Sequence, residues 1–186
     1  GAYNTLVGSL TGDALTTGAN NTALGYIALS QATTGASNVA LGYGALTATT
    51  TASNNVAIGT QAGAQNTTGA NNVAVGKDAL YSNTTASGNT ALGFEAGKDI
   101  VTGTGLTATG YKAAENTTGN NNSAFGYNVM QANTSGSQNS AFGAFALDGN
   151  SSGGENSAFG YQALSANTTA DNNTAFGYTA LRDNTT

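Results

Sequence analysis

Asn21-Thr22-Ala23-Leu24-Gly25-Tyr26-Ile27-Ala28-Leu29 is the stretch on which the fold turns. Its first five residues return as Asn38 to Gly42, Asn55 to Gly59, Asn72 to Gly76 and Asn89 to Gly93. With Phe in the fourth place they return at Asn122 to Gly126, Asn139 to Gly143, Asn156 to Gly160 and Asn173 to Gly177, and weaker copies end at Gly8 and Gly110. The glycines that close the phrase are spaced by seventeen residues throughout, except for sixteen between Gly110 and Gly126. So tight a period is the mark of a stacked array. Helical repeats need roughly 33 to 47 residues, which a seventeen-residue unit does not supply. The chain is therefore expected to be all-β: a parallel β-solenoid, or β-roll, of eleven coils forming one repetitive domain over residues 1–186, irregular around 100–116.

Numbering each coil from the Asn of the phrase, position 4 is Leu24, Leu41, Ile58, Val75 and Leu92, then Phe125, Phe142, Phe159 and Phe176. Position 2 is Thr or Val early and Ser or Thr late. Alternate residues of a strand share a face, so positions 2 to 4 are read as a short strand whose large position-4 side chains form the structural core. Position 3 is Ala23, Ala40, Ala57, Ala74, Ala91, Ala124, Ala141, Ala158 and Ala175. A column this uniform on the other face predicts a close neighbour, which we read as another chain or another sheet. Positions 8 and 9, Ala then usually Leu, read as a second short strand buried on both faces. Gly25, Gly42, Gly59, Gly76, Gly93, Gly126, Gly143, Gly160 and Gly177 are the turn residues, since Gly accepts a bend that other residues resist. The Tyr that usually follows can stack along the axis. Segments such as Asn66-Thr67-Thr68-Gly69 are turn formers, and stacked Asn side chains can form ladders.

The composition narrows the function classes. Charged residues are 7% of the chain, and there is no Cys, no His and no Pro. Disulfides, thiolate or imidazole zinc sites and His-dependent triads are thereby excluded. A net charge of −5 argues against nucleic acid and against docking on an anionic membrane. No apolar run approaches the roughly 18 residues of a membrane span. The core expected for each coil is thin, and with the Ala columns this predicts association, as a homotrimer. The chain begins at Gly1-Ala2-Tyr3-Asn4 and closes at Asn184-Thr185-Thr186, so that end-to-end joining would keep the register. This adds the expectation of a segment of a longer fibre, or of subunits stacked head to tail as an extracellular filament.

The phrase with its following Ala-Leu and closing Asn-Thr-Thr-Gly resembles the head repeats of YadA-like trimeric autotransporter adhesins, whose motif is Asn-Ser-Val-Ala-Ile-Gly. Asn54-Asn55-Val56-Ala57-Ile58-Gly59 matches it, with Asn55 where that family has Ser. Gly160-Tyr161-Gln162-Ala163-Leu164 is similar to repeats of bacterial and phage tail-fibre-like proteins. The resemblance spans the whole chain and implies a left-handed roll, trimeric, extracellular on a cell surface or virion, serving as a non-enzymatic adhesive head or fibre shaft. The period of seventeen is longer than is usual for the adhesin heads, with the extra residues in the Asn-Thr-Thr-Gly turn.

Other chemistries leave weaker traces. No catalytic, cofactor-binding or metal residue is expected. The nine acids scatter over the turns; read as a carboxylate pair they would make a glycan-processing tail spike, and read plainly they are solvated. Asp78 and Glu95 share position 7 in adjacent coils, which offers either a shared calcium ion or salt bridges to Lys77 and Lys98. Thr pairs such as Thr33-Thr34 and Thr50-Thr51 raise an ice-binding solenoid, but only one Thr of each pair can face outward. Gly103-Thr104-Gly105 lacks the Lys and helix of a phosphate loop. The Tyr and Asn columns offer a platform for a glycan or matrix receptor, weighed against a purely supporting role in the roll.

Overall fold

The computed structural model describes residues 1–185. Eleven three-residue strands follow one another: β1 (Thr5–Val7), β2 (Thr22–Leu24), β3 (Val39–Leu41), β4 (Val56–Ile58), β5 (Val73–Val75), β6 (Thr90–Leu92), β7 (Thr107–Thr109), β8 (Ser123–Phe125), β9 (Ser140–Phe142), β10 (Ser157–Phe159) and β11 (Thr174–Phe176). They form one eleven-stranded parallel sheet in sequence order, with like positions paired, as in Val39↔Val56, Ala40↔Ala57 and Leu41↔Ile58. No helix occurs among the described residues. The chain is a β-solenoid. The end-to-end register expected across the termini involves Thr186, which lies outside the described residues.

Glycine ends each strand for a geometric reason. Gly42 has φ +133, and a Cβ there would sit 2.6 Å from the carbonyl oxygen of Gly59 in the next coil. The column can be stacked only because it has no side chains.

The interior is the reverse of the expected one. Leu24, Ile58, Leu92, Phe142 and Phe176 are exposed, and Leu41, Val75, Phe125 and Phe159 are half-buried. None of the position-4 residues belongs to the buried core. The core is built instead from Ala23, Ala40, Ala57, Ala74, Ala91, Ala124, Ala141, Ala158 and Ala175, each no more than 2% exposed, with the position-8 alanines and the position-9 leucines. The reason is the width of the coil. A Cβ placed on Gly63, at position 9, would lie 3.9 Å from the Ala57 Cβ, and one on Gly97 would lie 3.8 Å from that of Ala91. The close neighbour that the Ala column signalled is therefore the returning segment of the same coil, not another chain or sheet. Where position 9 carries Leu, only Ala fits opposite it; Leu6 holds position 3 in β1, where position 9 is Gly12.

That returning segment is not a strand. Its positions 7 and 9 are left-handed: Ile27 and Leu29 have φ 53 and 54, Asp78 and Leu80 have φ 57 and 49. Left-handed residues flanking position 8 turn successive side chains the same way, so Ala and Leu both point inward without the alternation of a strand. The segment still bonds between coils. The Leu29 N–H donates to the Ala45 carbonyl at 3.0 Å, and the Gln61 N–H to that of Tyr43 at 2.8 Å.

Two polar ladders complete the interior. At position 1 the Asn38 Oδ1 accepts the Asn55 backbone N–H at 3.0 Å, while the Asn38 Nδ2 donates to the Ala52 carbonyl of its own coil at 2.9 Å. Asn21, Asn55, Asn72, Asn122 and Asn139 repeat this scheme, all buried. Position 12 carries a shorter run in which Asn150 donates to Asn133 at 3.1 Å and Asn167 to Asn150 at 3.0 Å. Leu106 interrupts the first ladder. It accepts no proton, but it fills space beside Gly97, where Leu is usual.

The short coil keeps the sheet intact. β7 pairs with β8 through Thr107↔Ser123, a separation of sixteen, without loss of register. Thr118 aligns with Thr134 through its N–H···O=C bond, and Gly119 stacks on Gly136. The missing residue is thus the one at position 14, which is exposed in the neighbouring turns, as at Thr68 and Thr85.

Two substitutions test this interior. Asn55→Ala should cost about 1–3 kcal/mol, because it strands the buried Asn72 N–H, while the Gly69 carbonyl keeps the Asn66 amide as its donor. Ala40→Leu, opposite the buried Leu46, should destabilise by at least about 1–3 kcal/mol through overpacking, whereas Leu would be accommodated there if position 3 faced outward. Chemical denaturation followed by circular dichroism reads both.

Candidate interaction face

The outer face of the sheet is made by positions 2 and 4. They carry no charge in any of the eleven strands. Position 2 contributes Thr, Val and Ser; position 4 contributes Val, Leu and Ile over β1 to β6, Thr109 in β7 and Phe from β8 onward. The phenylalanines stack face to face, with ring centroids 4.6 Å apart for Phe125–Phe142 and 4.8 Å for Phe142–Phe159. Stacking along the sheet normal to the strands is what a parallel in-register column imposes. In β8, β9 and β10 a small Ser at position 2 accompanies Phe at position 4, which keeps this outer face level.

Position 6 widens the face. Tyr26 stacks on Tyr43 at 5.8 Å, Phe94 on Tyr111 at 5.2 Å, Tyr111 on Tyr127 at 5.1 Å and Tyr161 on Tyr178 at 5.3 Å. Where Ala144 breaks the column, Phe145 from position 7 bridges it edge-on, 5.4 Å from Tyr127 and 6.0 Å from Tyr161. Where Lys77 breaks it, the ammonium lies 5.3 Å from the Phe94 ring centroid. The Tyr column does stack along the axis. Exposed Leu, Phe and Tyr side chains aligned over successive coils in this way are unusual for a protein that stands alone.

Beside the aromatic column lies a charged cluster confined to the middle coils. Lys77 pairs with Asp78 at 2.9 Å and Lys98 with Glu95 at 3.2 Å, the salt-bridge alternative for these carboxylates. Lys112 was not foreseen. It pairs with Glu95 at 2.9 Å and Glu115 at 3.1 Å, and the Gln131 amide donates to Glu115 at 2.9 Å. The signal was in the repeats: positions 7 and 10 change in size and charge from coil to coil, while positions 3, 5 and 8 hardly change. Among the described residues no group of three or more Asp, Glu, His or Cys is arranged to hold a metal ion. Burial pushes the Asp148 carboxyl up, away from this cluster.

The Thr pairs divide as their alternation requires. The Thr16, Thr33, Thr50 and Thr67 hydroxyls donate to the carbonyl one coil on, at 2.9–3.2 Å, and their partners Thr17, Thr34, Thr51 and Thr68 are exposed.

Comparison with family models, with curated proteins and with solved structures gave no match. No helix among the described residues is long and apolar enough to cross a membrane.

The Lys112 ammonium, and after it the Lys98 ammonium, hold the Glu95 carboxyl below its ordinary value of 4.5, against the opposing effect of burial. A carboxyl lowered on folding adds stability that is complete above pH 4.5 and is lost as the pH falls through the folded value. The melting temperature of the native chain should therefore fall on acidification from pH 6 to about pH 3 more steeply than that of Glu95→Gln. Equal slopes would mean that the ion pairs contribute nothing.

Proposed function

We propose that this chain is a non-enzymatic, surface-exposed segment of an adhesive or structural fibre, and that it works as a homotrimer. One observation carries the reading: an uncharged face, apolar at position 4 in every strand but β7, runs along the outside of the coil. A face about 50 Å long, from eleven strand spacings, and roughly 15 Å wide with its Tyr column, offers on the order of 700 Å². That is close to the ~800 Å² per partner of a standard interface. A second copy of the same face is its natural occupant, since it is flat, in register and uncharged, and three narrow faces can enclose a common apolar axis. The likeness of the repeats to trimeric adhesin heads supports the number three and a position outside the cell, on a cell surface or virion. Here the Leu and Phe columns, rather than the alanines, supply the contact.

The test is the solution mass. Light scattering after gel filtration should give three times the 18.2 kDa of one chain. The double variant Leu41→Glu with Phe142→Glu should elute as a monomer with an unchanged β spectrum, because its charges lie on the outer face. A native chain that stays monomeric, or a double variant that still assembles, overturns the proposal. A mass that grows without limit with concentration favours the head-to-tail filament instead.

A further inference from the structure

The variable positions build a cavity that the fibre reading leaves unused. Gln61 and Asp78 at position 7 of adjacent coils, with Tyr81 and Lys98 at position 10 of adjacent coils, line a cleft of about 260 Å³. Asp78 is only 8% exposed. Its Oδ2 pairs with Lys77, while its Oδ1 is buried without a hydrogen-bond partner. A buried carboxylate oxygen left unpaired costs free energy, and a donor in the cleft would recover it once the carboxylate turns to meet it.

The lining defines that donor. Lys77 balances Asp78, and Glu95 balances Lys98, so the cleft calls for no net charge in its ligand. Two ammonium groups at its margin disfavour a metal cation. Gln61 can both donate and accept, Lys98 can donate, and Tyr81 presents a ring and a hydroxyl. Tyr81 is also out of column. In its coil the aromatic residue has left position 6, which Lys77 holds, for position 10. A small neutral ligand bearing several hydroxyls and one apolar face meets all four groups, and a single hexose unit has that chemistry and that size.

We infer that the cleft formed by Gln61, Asp78, Tyr81 and Lys98 binds one hexose unit of a neutral glycan. A hydroxyl of the sugar donates to the Asp78 carboxylate, Lys98 and Gln61 donate to ring-substituent oxygens, and a C–H face packs on Tyr81. This deepens the adhesive part of the proposed function and is independent of self-association.

The repeats supply variants that the fold already accepts. Ile27 holds position 7 and Ser30 holds position 10 in another coil, so Asp78→Ile and Tyr81→Ser keep residue types native to those positions. Saturation-transfer NMR on the full chain would use D-glucose, D-galactose, D-mannose and N-acetyl-D-glucosamine, each added alone as its methyl glycoside. At least one should show transfer with the native chain, reduced at least tenfold in both variants and unchanged in the Leu41→Glu, Phe142→Glu double variant. Absence of transfer for all four sugars overturns the inference, and so does transfer that survives in either variant. In neither case is the measured solution mass affected, so the fibre reading stands or falls separately.

Discussion

The buried amide of position 1 is the interaction on which the remainder of this structure depends. Each Asn in the ladder binds in two directions: its oxygen takes the backbone N–H of the next coil's Asn, just before the strand, and its nitrogen holds the turn that closes its own coil. The first bond fixes the rise between coils and the second fixes their width. A width set this way leaves room for Ala at position 3 and one larger residue at position 9. The thin core, the seventeen-residue period and the outward placement of the large apolar residues all follow. An amide buried at this depth is stabilising only when fully bonded, so one change of partner at position 1 is felt by two coils. The chain tolerates one such change, at Leu106, where the neighbouring Gly97 leaves apolar space to fill.

Glycine at position 5 is the complementary constraint. Its left-handed φ and its contact with the next coil's carbonyl leave no volume for a Cβ. Asn before the strand and Gly after it hold the strand to three residues, too short to cover a face by itself. The coil compensates by extending its ladder through the turns, where left-handed Leu and polar residues replace strand geometry. Strain at those residues is shared by all coils, which is tolerable only because the next coil repeats the same bonds.

Much of this was legible in the residues. The glycine spacing gives the coil count, the strand positions and the parallel pairing, because stacking like on like is the only way to bury a column repeatedly. The uniform Ala column correctly announces a close neighbour. Which face looks inward was not legible, since a three-residue strand with apolar side chains on both faces satisfies the alternation either way. Size was the misleading cue: Leu24 and Phe142 look like core because they are large, yet the coil is too narrow to admit them. The second strand failed for a related reason. Ala28-Leu29 are both buried, but by left-handed φ values at Ile27 and Leu29 that nothing in apolar patterning reveals. For the same cause the site was only half visible. Lys77, Lys98 and their carboxylates could be paired by position, while Tyr81 and Lys112 matter only once positions 7 and 10 are known to meet across coils.

The central claim is that the strands turn alanine inward and offer Leu, Phe and Tyr to a sister chain. The chain has no Cys, so a single introduced thiol carries a spin label without competition. Labels at Ser140→Cys on the sheet's outer face, and separately at Thr68→Cys on the far turn, should be compared by pulsed dipolar spectroscopy in the assembled protein. The account predicts intermolecular distances of roughly 10–20 Å at Ser140, the scale of packed sheets, and much longer ones at Thr68. Short distances at Thr68 with none at Ser140 would contradict it.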